Sequence, residues 1–273
     1  MSLCRGTLAA VTERSTVETV LAEAGVLAGM QWARWSTHRH VLAHYDPDAG
    51  HDRAWLGTTA YVVLRDRLDR VFQCGGYQPP AEDSEAGRDV LGAGLGPGEL
   101  DAMPTIPAGR VARNGLNGSP GWRYQGWRFL LMSFDPGGID RVPWPEKSHT
   151  KRRVASAPDP EQFGFIVDAS GSLVMPEESA SGVELPGGVQ TLVAAHALNP
   201  ETAKGEIFLG RPRIGRDGEG CWHWRFAVHG DGGPGDPFGH RPVEPGPLGP
   251  DTSDSDAADL PLRLRENPKE GQA

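Results

Sequence analysis

The sequence predicts an α+β protein in which a helical N-terminal part precedes a mostly antiparallel sheet and a disordered C-terminal tail. Three observations support this: apolar residues recur at helical spacing before residue 78, aromatic-rich strand-like segments occupy residues 121–229, and large apolar residues become scarce afterwards. Runs of helices followed by runs of strands are typical of this class. The chain therefore divides into a helical part (1–78), a Gly/Pro-rich loop (79–120), a strand-rich part (121–229) and an acidic tail (230–273).

The helical part contains three segments with helical spacing. The first follows Ser15, and Glu18 three residues later completes a capping-box pattern. The second covers about 31–45 and should end before Pro47, because a residue that precedes proline avoids the α region. The third, 52–72, has the most regular apolar period and carries opposite charges four residues apart, which support a helix.

The strand-rich part opens with an aromatic-rich segment, 122–134, which we interpret as one strand. Further strands are expected at 163–168, 173–175, 190–198, 206–209 and 221–229. In the Gly/Pro-rich loop we expect only a short helix near 100–103, and a loop of this length is either functional or disordered. The tail has too few large apolar residues to offset the entropy of ordering it, so it is predicted to be disordered.

The charge balance disfavours a general nucleic-acid-binding protein. The net charge is −9, and the tail contains nine acidic and four basic residues, so the rest of the chain is nearly balanced. Proteins that bind nucleic acids broadly are usually basic. Nucleic-acid binding is therefore expected only through a local basic loop. No run of about 18 apolar residues occurs, so no membrane span is expected.

Three cysteines, Cys4, Cys74 and Cys221, lie far apart and show no local pairing pattern. A sparse, odd set of this kind predicts reduced thiols and a cytoplasmic protein. No apolar leader segment follows Arg5, so no signal peptide is expected. Almost all basic residues are arginines, which we interpret as a sign of a bacterial genome of high G+C content.

A histidine cluster within 38–51 is the first candidate site. His40 and His44 are one helical turn apart, a spacing that can place two imidazoles on one metal ion. His51 or the carboxylate of Asp46 would complete a three-ligand site for zinc or another divalent metal. Such a metal lowers the pKa of its bound water, and the function would be metal-dependent hydrolysis. The simpler interpretation, which we favour, is a solvated helix end with surface histidines.

The last predicted strand is the second candidate. Strict alternation would place His223, Arg225 and His229 on one face, where the guanidinium could bind an anion through two parallel hydrogen bonds. The opposite face, expected to lie in the core, would be formed by Trp222, Trp224, Phe226 and Val228. The alternative is a solvent-facing strand surface without a ligand.

A basic loop is the third candidate. Lys151, Arg152 and Arg153 follow Lys147 and His149 in a Pro-containing segment, and together they could hold an anionic ligand or a nucleic acid. The alternative interpretation is an exposed charged loop beside a core strand.

A related pattern lies nearby in the chain, where Arg123 and Arg128 alternate with Trp122, Tyr124 and Trp127. Cations beside aromatic rings suit single-stranded nucleic acids, whose bases stack and whose phosphates pair. The alternative is that these aromatic side chains are simply buried.

The sequence contains no phosphate-binding loop, dinucleotide-binding glycine pattern, nucleophile elbow or Cys-x-x-Cys pair. We therefore rank a non-catalytic cytoplasmic binding or accessory protein, holding an anionic ligand, a nucleic acid or a protein partner, slightly above the metal-dependent hydrolase. Each proposed cluster also has a purely structural explanation, which is why the enzyme ranks second.

Overall fold

The computed structural model describes residues 13–83, 85–157, 166–167, 173–174, 189–202, 204–215 and 220–228. The helices are α1 (Glu13–Glu23), α2 (Val26–His44), α3 (Arg53–Val71), α4 (Arg88–Gly92) and α5 (His149–Ala155). The strands are β1 (Ala112–Arg113), β2 (Gly121–Tyr124), β3 (Trp127–Ser133), β4 (Ile166–Val167), β5 (Leu173–Val174), β6 (Gln190–Asn199), β7 (Lys204–Pro212) and β8 (Trp222–Ala227). The predicted disordered tail lies outside the described residues.

Helices α1 and α2 are separated by a sharp bend at Gly25, which adopts a left-handed φ of 75° that glycine accepts without steric cost. The capping role predicted for Ser15 is wrong, because that residue lies inside α1. Helix α2 begins at Val26, earlier than predicted, and ends at His44 before Pro47 as predicted. No helix of the described chain is long and apolar enough to cross a membrane.

Helix α3 has the predicted bounds to within one residue. Its N-terminus is capped by Asp52, whose carboxylate accepts a hydrogen bond of 2.8 Å from the backbone N–H of Trp55. This bond satisfies one of the backbone donors that every helix leaves open at its start. The helix buries Leu56, Leu64 and Leu68.

Six described strands form one sheet in the order β1-β2-β3-β6-β7-β8. All neighbours are antiparallel except β3 and β6, which run parallel, so the prediction of a mostly antiparallel sheet is confirmed. The single strand predicted at 122–134 is wrong: the chain turns at Gln125 and Gly126, and β2 pairs with β3 as a hairpin. Strands β4 and β5 pair with each other within two predicted strand segments.

The sheet has a buried core on each face. Helices α1 to α3 cover one face, where Phe129 and Leu131 of β3 pack with α-helical residues such as Trp32 and Phe72. The segment between β3 and the end of α5 covers the other face, on which Met132, Val193, Phe208 and Trp222 pack against Ile139, Val142, Trp144 and Ala155. We call these the helix face and the opposite face.

Strand β8 departs from the alternation that its sequence predicts. Pro212 pairs with Trp222 and Arg211 pairs with Trp224, so His223 is an extra residue in a β-bulge. Trp222 therefore packs on the opposite face, while Trp224 and Phe226 pack on the helix face. The prediction that all four apolar residues of this strand share one face is wrong for Trp222.

The Gly/Pro-rich loop is held against the helices by buried polar groups. Arg70 Nη1 donates hydrogen bonds to the carbonyl oxygens of Leu91 (2.6 Å) and Ala93 (3.0 Å). Trp32 Nε1 donates to the carbonyl oxygen of Glu99 at 2.8 Å. The short helix predicted at 100–103 is wrong, since the loop's helix is α4. Side chains of α2 and α3 donate hydrogen bonds to backbone carbonyls of the Gly/Pro-rich loop, which explains how this loop is ordered without much regular structure.

Candidate functional site

The carboxyl ends of the parallel strands β3 and β6 form one side of a cavity of about 550 Å³. The N-terminal half of α3 and the segment that follows α2 form the other side. Ligands of open sheets commonly bind at the carboxyl ends of parallel strands, because the chain leaves the sheet there and opens a crevice. The position and size of this cavity make it a candidate ligand-binding site.

Ser133 and His196 are directly paired across the two parallel strands, so both side chains project from the same face at the cavity. Ser133 Oγ and His196 Nε2 are 2.9 Å apart and share a hydrogen bond. His196 is only 2% exposed, whereas Ser133 is half-buried and closer to solvent. The pair therefore presents one hydroxyl to the cavity with an imidazole fixed behind it.

Burial lowers the pKa of His196 to about 4, so the imidazole is neutral at neutral pH. No described carboxylate forms an ion pair with this ring. The ring of Tyr61 lies 6.0 Å from it, and burial raises the pKa of the Tyr61 phenol, so that group also stays uncharged. The inner end of the site is consequently polar but neutral.

The remaining lining divides into an apolar wall and a charged rim. Leu56, Ala60 and Leu198 are buried and pack together with Val41 behind the wall. The rim carries the ionisable groups Arg53, Asp135 and Glu201. This combination suits a ligand with an apolar body and a few polar groups.

Gly57 of α3 is part of the lining, and a Cβ atom built there meets no atom within 4 Å. The missing side chain leaves space that a larger residue would occupy. Glycine in a helix interior costs up to about 1 kcal/mol relative to alanine, and no neighbouring atom obstructs a larger residue at this position.

The geometry of Ser133 and His196 resembles that of a catalytic nucleophile and its general base. A base with a pKa of about 4 removes a serine proton poorly at neutral pH, because an efficient general base has a pKa near the working pH. Among the described residues, none forms a hydrogen bond with the other ring nitrogen of His196. The arrangement is better suited to hydrogen bonding with a ligand than to proton transfer.

The predicted metal ligands do not converge. The rings of His40 and His44 lie 4.5 Å apart, but His44 Nδ1 forms a 2.6 Å hydrogen bond with the backbone carbonyl of His40. His51 stacks on Trp55 at 4.0 Å, and its Nδ1 accepts a hydrogen bond from the backbone N–H of Asp46. In the described chain no group of three or more His, Cys, Asp or Glu side chains is arranged to hold a metal.

The predicted anion-binding face of β8 is partly committed to the protein itself. Arg225 forms hydrogen bonds of 2.7 Å to both carboxylate oxygens of Asp140, and its guanidinium lies 4.9 Å from the ring centre of Phe208. His223 is the half-buried bulge residue, while His229 lies outside the described residues. Arg225 therefore already has a carboxylate partner.

The basic residues predicted in a loop lie on α5. Ser148 caps this helix, and Arg152 and Arg153 are exposed on it. Lys151 is half-buried, and burial together with neighbouring Lys147 lowers its pKa. These residues remain accessible to an anionic partner.

The aromatic residues near Arg123 and Arg128 do not form a stacking surface with them. Trp122 is fully buried on the helix face, where its Nε1 donates to Asp69 Oδ1 at 2.9 Å. Arg123 and Arg128 pair directly across β2 and β3 and project from the opposite face. Trp122 is therefore a buried core residue, in line with the alternative prediction for these aromatic side chains.

Comparisons of the chain with protein-family models, with curated proteins and with solved structures found no match. The interpretation of the site therefore depends on its own geometry.

Sequence reasoning missed both Ser133 and His196. A signal for the histidine was present, because it interrupts an otherwise apolar run from 192 to 198 in a predicted strand. Ser133 gave no comparable signal, since a serine at a strand end is common. Only the parallel pairing of β3 and β6 brings these two residues together.

Proposed function

We propose that this protein binds a small organic molecule in the cavity at the carboxyl ends of β3 and β6. The observation that carries the proposal is the hydrogen-bonded Ser133–His196 pair, held neutral at the inner end of a cavity of about 550 Å³. Ligand sites typically have volumes of roughly 300–1,000 Å³ and combine apolar walls with a few fixed polar groups.

The lining defines the kind of ligand. The Ser133 hydroxyl can donate to or accept from one polar group of the ligand, and the neutral imidazole supports either role. The wall of Leu56, Ala60 and Leu198 would contact an apolar portion. The rim contains one cation, Arg53, and two carboxylates, Asp135 and Glu201, so a highly charged ligand is disfavoured at the mouth.

A cavity-filling variant tests the proposal. A library of small organic fragments is screened against the wild type, Gly57→Ala and Gly57→Leu by ligand-observed NMR, with thermal unfolding as a check of folding. Fragments that bind the wild type should bind Gly57→Ala and lose at least tenfold in affinity to Gly57→Leu, whose side chain enters the cavity. Equal binding to the folded Gly57→Leu protein, or no fragment binding to the wild type, would overturn the proposal.

A serine hydrolase is a second candidate, favoured by the 2.9 Å Ser133–His196 distance. It predicts that a fluorophosphonate probe labels Ser133 covalently and that Ser133→Ala and His196→Gln abolish the label. Labelling at that residue, mapped by mass spectrometry, would turn the binding site into an active site. Without labelling, a fragment-binding cavity supports the non-catalytic function.

Binding of an anionic ligand, a nucleic acid or a protein partner by Lys151, Arg152 and Arg153 also remains a prediction. The exposure of the two arginines on α5 supports it. Changing both exposed arginines to Gln should weaken such an interaction and reduce its dependence on salt.

A further inference from the structure

Arg128 is a buried cation that has no anionic partner among the described residues. Its side chain lies on the opposite face at the start of β3, and the residue is only 7% exposed. Nε donates a hydrogen bond of 2.5 Å to Asn114 Oδ1, but Nη1 is buried and has no hydrogen-bond partner. No described carboxylate forms an ion pair with it. Burying an uncompensated charge is costly, so an arginine in this state is suited to receive an anion.

A second unsatisfied group lies beside it. Thr191 is the direct partner of Arg128 across the parallel pair β3–β6, so both side chains project from the same face. Thr191 is 4% exposed, and its Oγ1 is also buried without a hydrogen-bond partner. Buried polar groups almost always have hydrogen-bond partners. Two neighbouring groups that both lack one therefore indicate a ligand that binds to both.

A second cation borders the pair. Arg123 is the direct partner of Arg128 across β2–β3, and its exposed side chain uses Nε to bind the carbonyl oxygen of Gln125. Like charges placed directly opposite each other destabilise a sheet. In agreement with this, burial and then Arg123 lower the pKa of Arg128. An anion between the two guanidiniums would remove the repulsion.

We propose that Arg128, Thr191 and Arg123 form a binding site for a phosphate group, either free or at the end of an organic molecule. Two guanidiniums match the charge of a dianion, and each can donate to phosphate oxygens in the geometry that arginine favours. The Thr191 hydroxyl donates to a further oxygen. The site is separate from the cavity, because it lies on the other face and about 17 Å away along β3 at roughly 3.3 Å per residue.

Isothermal titration calorimetry at constant ionic strength tests this site, with inorganic phosphate and phenyl phosphate as probes and chloride as the reference anion. The wild type should bind one equivalent of at least one probe. Inorganic phosphate alone would identify the free anion, and phenyl phosphate binding would identify a monoester site open to an organic group. Absence of saturable binding of either probe would overturn the proposal.

Variants show whether the binding belongs to this site. Arg128→Met should abolish measurable binding, and Thr191→Val should weaken it about tenfold through loss of a hydrogen bond to a charged group. Arg88→Met at the start of α4 removes the same charge from an exposed position elsewhere and should change affinity by no more than about twofold. Equal affinity in the wild type and Thr191→Val, or an equal loss in Arg88→Met, would contradict the site.

The melting temperature of Arg128→Met gives a second test of the site. Without phosphate, Arg128→Met should melt at the same temperature as the wild type or higher, because it removes a buried charge that no residue in the described part of the chain neutralises. Saturating phosphate should raise the melting temperature of the wild type and leave that of Arg128→Met unchanged. A large loss of stability in phosphate-free Arg128→Met would show that the cation already has a partner and would overturn the proposal.

Discussion

The imidazole of His38 occupies the space over Gly205, where a Cβ atom would lie 1.2 Å from His38 Cε1. His38 belongs to α2 and Gly205 to β7, so this contact sets how closely the helix approaches the sheet. Arg34, one turn earlier on α2, donates from Nη1 to the carbonyl oxygen of Gly205 at 3.1 Å. Any side chain at position 205 must therefore displace the helix or the imidazole.

Gly205→Ala should lower the free energy of unfolding by about 2 kcal/mol, because the methyl group overpacks a closed contact. Chemical denaturation measures this value. Gly126→Ala, at the turn between β2 and β3 where a Cβ meets nothing within 4 Å, is the control and should change stability little. Adding His38→Ala should recover part of the loss in a double-mutant cycle. Additive effects would show that the two residues are not in contact.

The stability of the protein should fall as the pH drops from about 6.5 to about 4, in part through His196. Burial holds its pKa near 4 in the folded protein against an ordinary value of 6.5, so the unfolded chain binds the proton first. Its contribution is fully present above pH 6.5, and about 3 kcal/mol of it is lost by pH 4. Denaturation curves across this range for the wild type and His196→Gln isolate the effect. Parallel pH profiles would contradict it.

Arg70→Gln should release the Gly/Pro-rich loop. Arg70 Nη1 holds the carbonyl oxygens around the end of α4, while Nη2 donates to Tyr77 Oη and to Asp66. Breaking such a buried network typically costs about 3 kcal/mol or more. Limited proteolysis should then cleave the variant within 79–105 much faster than the wild type.

Arg65→Gln on the same helix provides the matched control for Arg70→Gln. Arg65 is half-buried, and no described residue forms a hydrogen bond with it. Its replacement should leave both stability and the proteolysis pattern almost unchanged. Equal cleavage in the two variants would show that the loop does not depend on the Arg70 hydrogen bonds.

The Cys74 thiol should be nearly inert in the folded protein. It is 5% exposed, and burial together with the Asp69 carboxylate raises its pKa to about 12. At pH 8 only about one thiol in ten thousand is then ionised, and the thiolate is the reactive form. A time course of iodoacetamide labelling, read by mass spectrometry, should modify the half-buried Cys221 well before Cys74. Equal rates in the folded protein would contradict this.

Asp69→Asn tests the cause of that inertness. Removing the carboxylate should lower the pKa of Cys74 and speed its labelling, although burial still slows it. If the rate is unchanged in a folded variant, burial alone protects the thiol.

Features that depend on neighbours along the chain could be predicted from the sequence. The bounds of α3 follow from its apolar period and the Asp52 cap, and the end of α2 follows from Pro47. The mostly antiparallel sheet follows from the succession of strand-like segments. Local rules were misleading where a residue adopts an unusual backbone conformation. Gln125 has a φ of 51°, a value usually adopted by glycine, so its residue type gave no sign of the turn between β2 and β3.

Contacts between residues far apart in the chain could not be predicted from local patterns. Ser133 and His196 are separated by 63 positions, and their pairing depends on the parallel register of β3 and β6. The same register places Thr191 beside Arg128, and a bulge at His223 moves Trp222 to the other face. Strand register is set by the summed packing and hydrogen bonding of many residue pairs far apart in sequence, which no local pattern encodes.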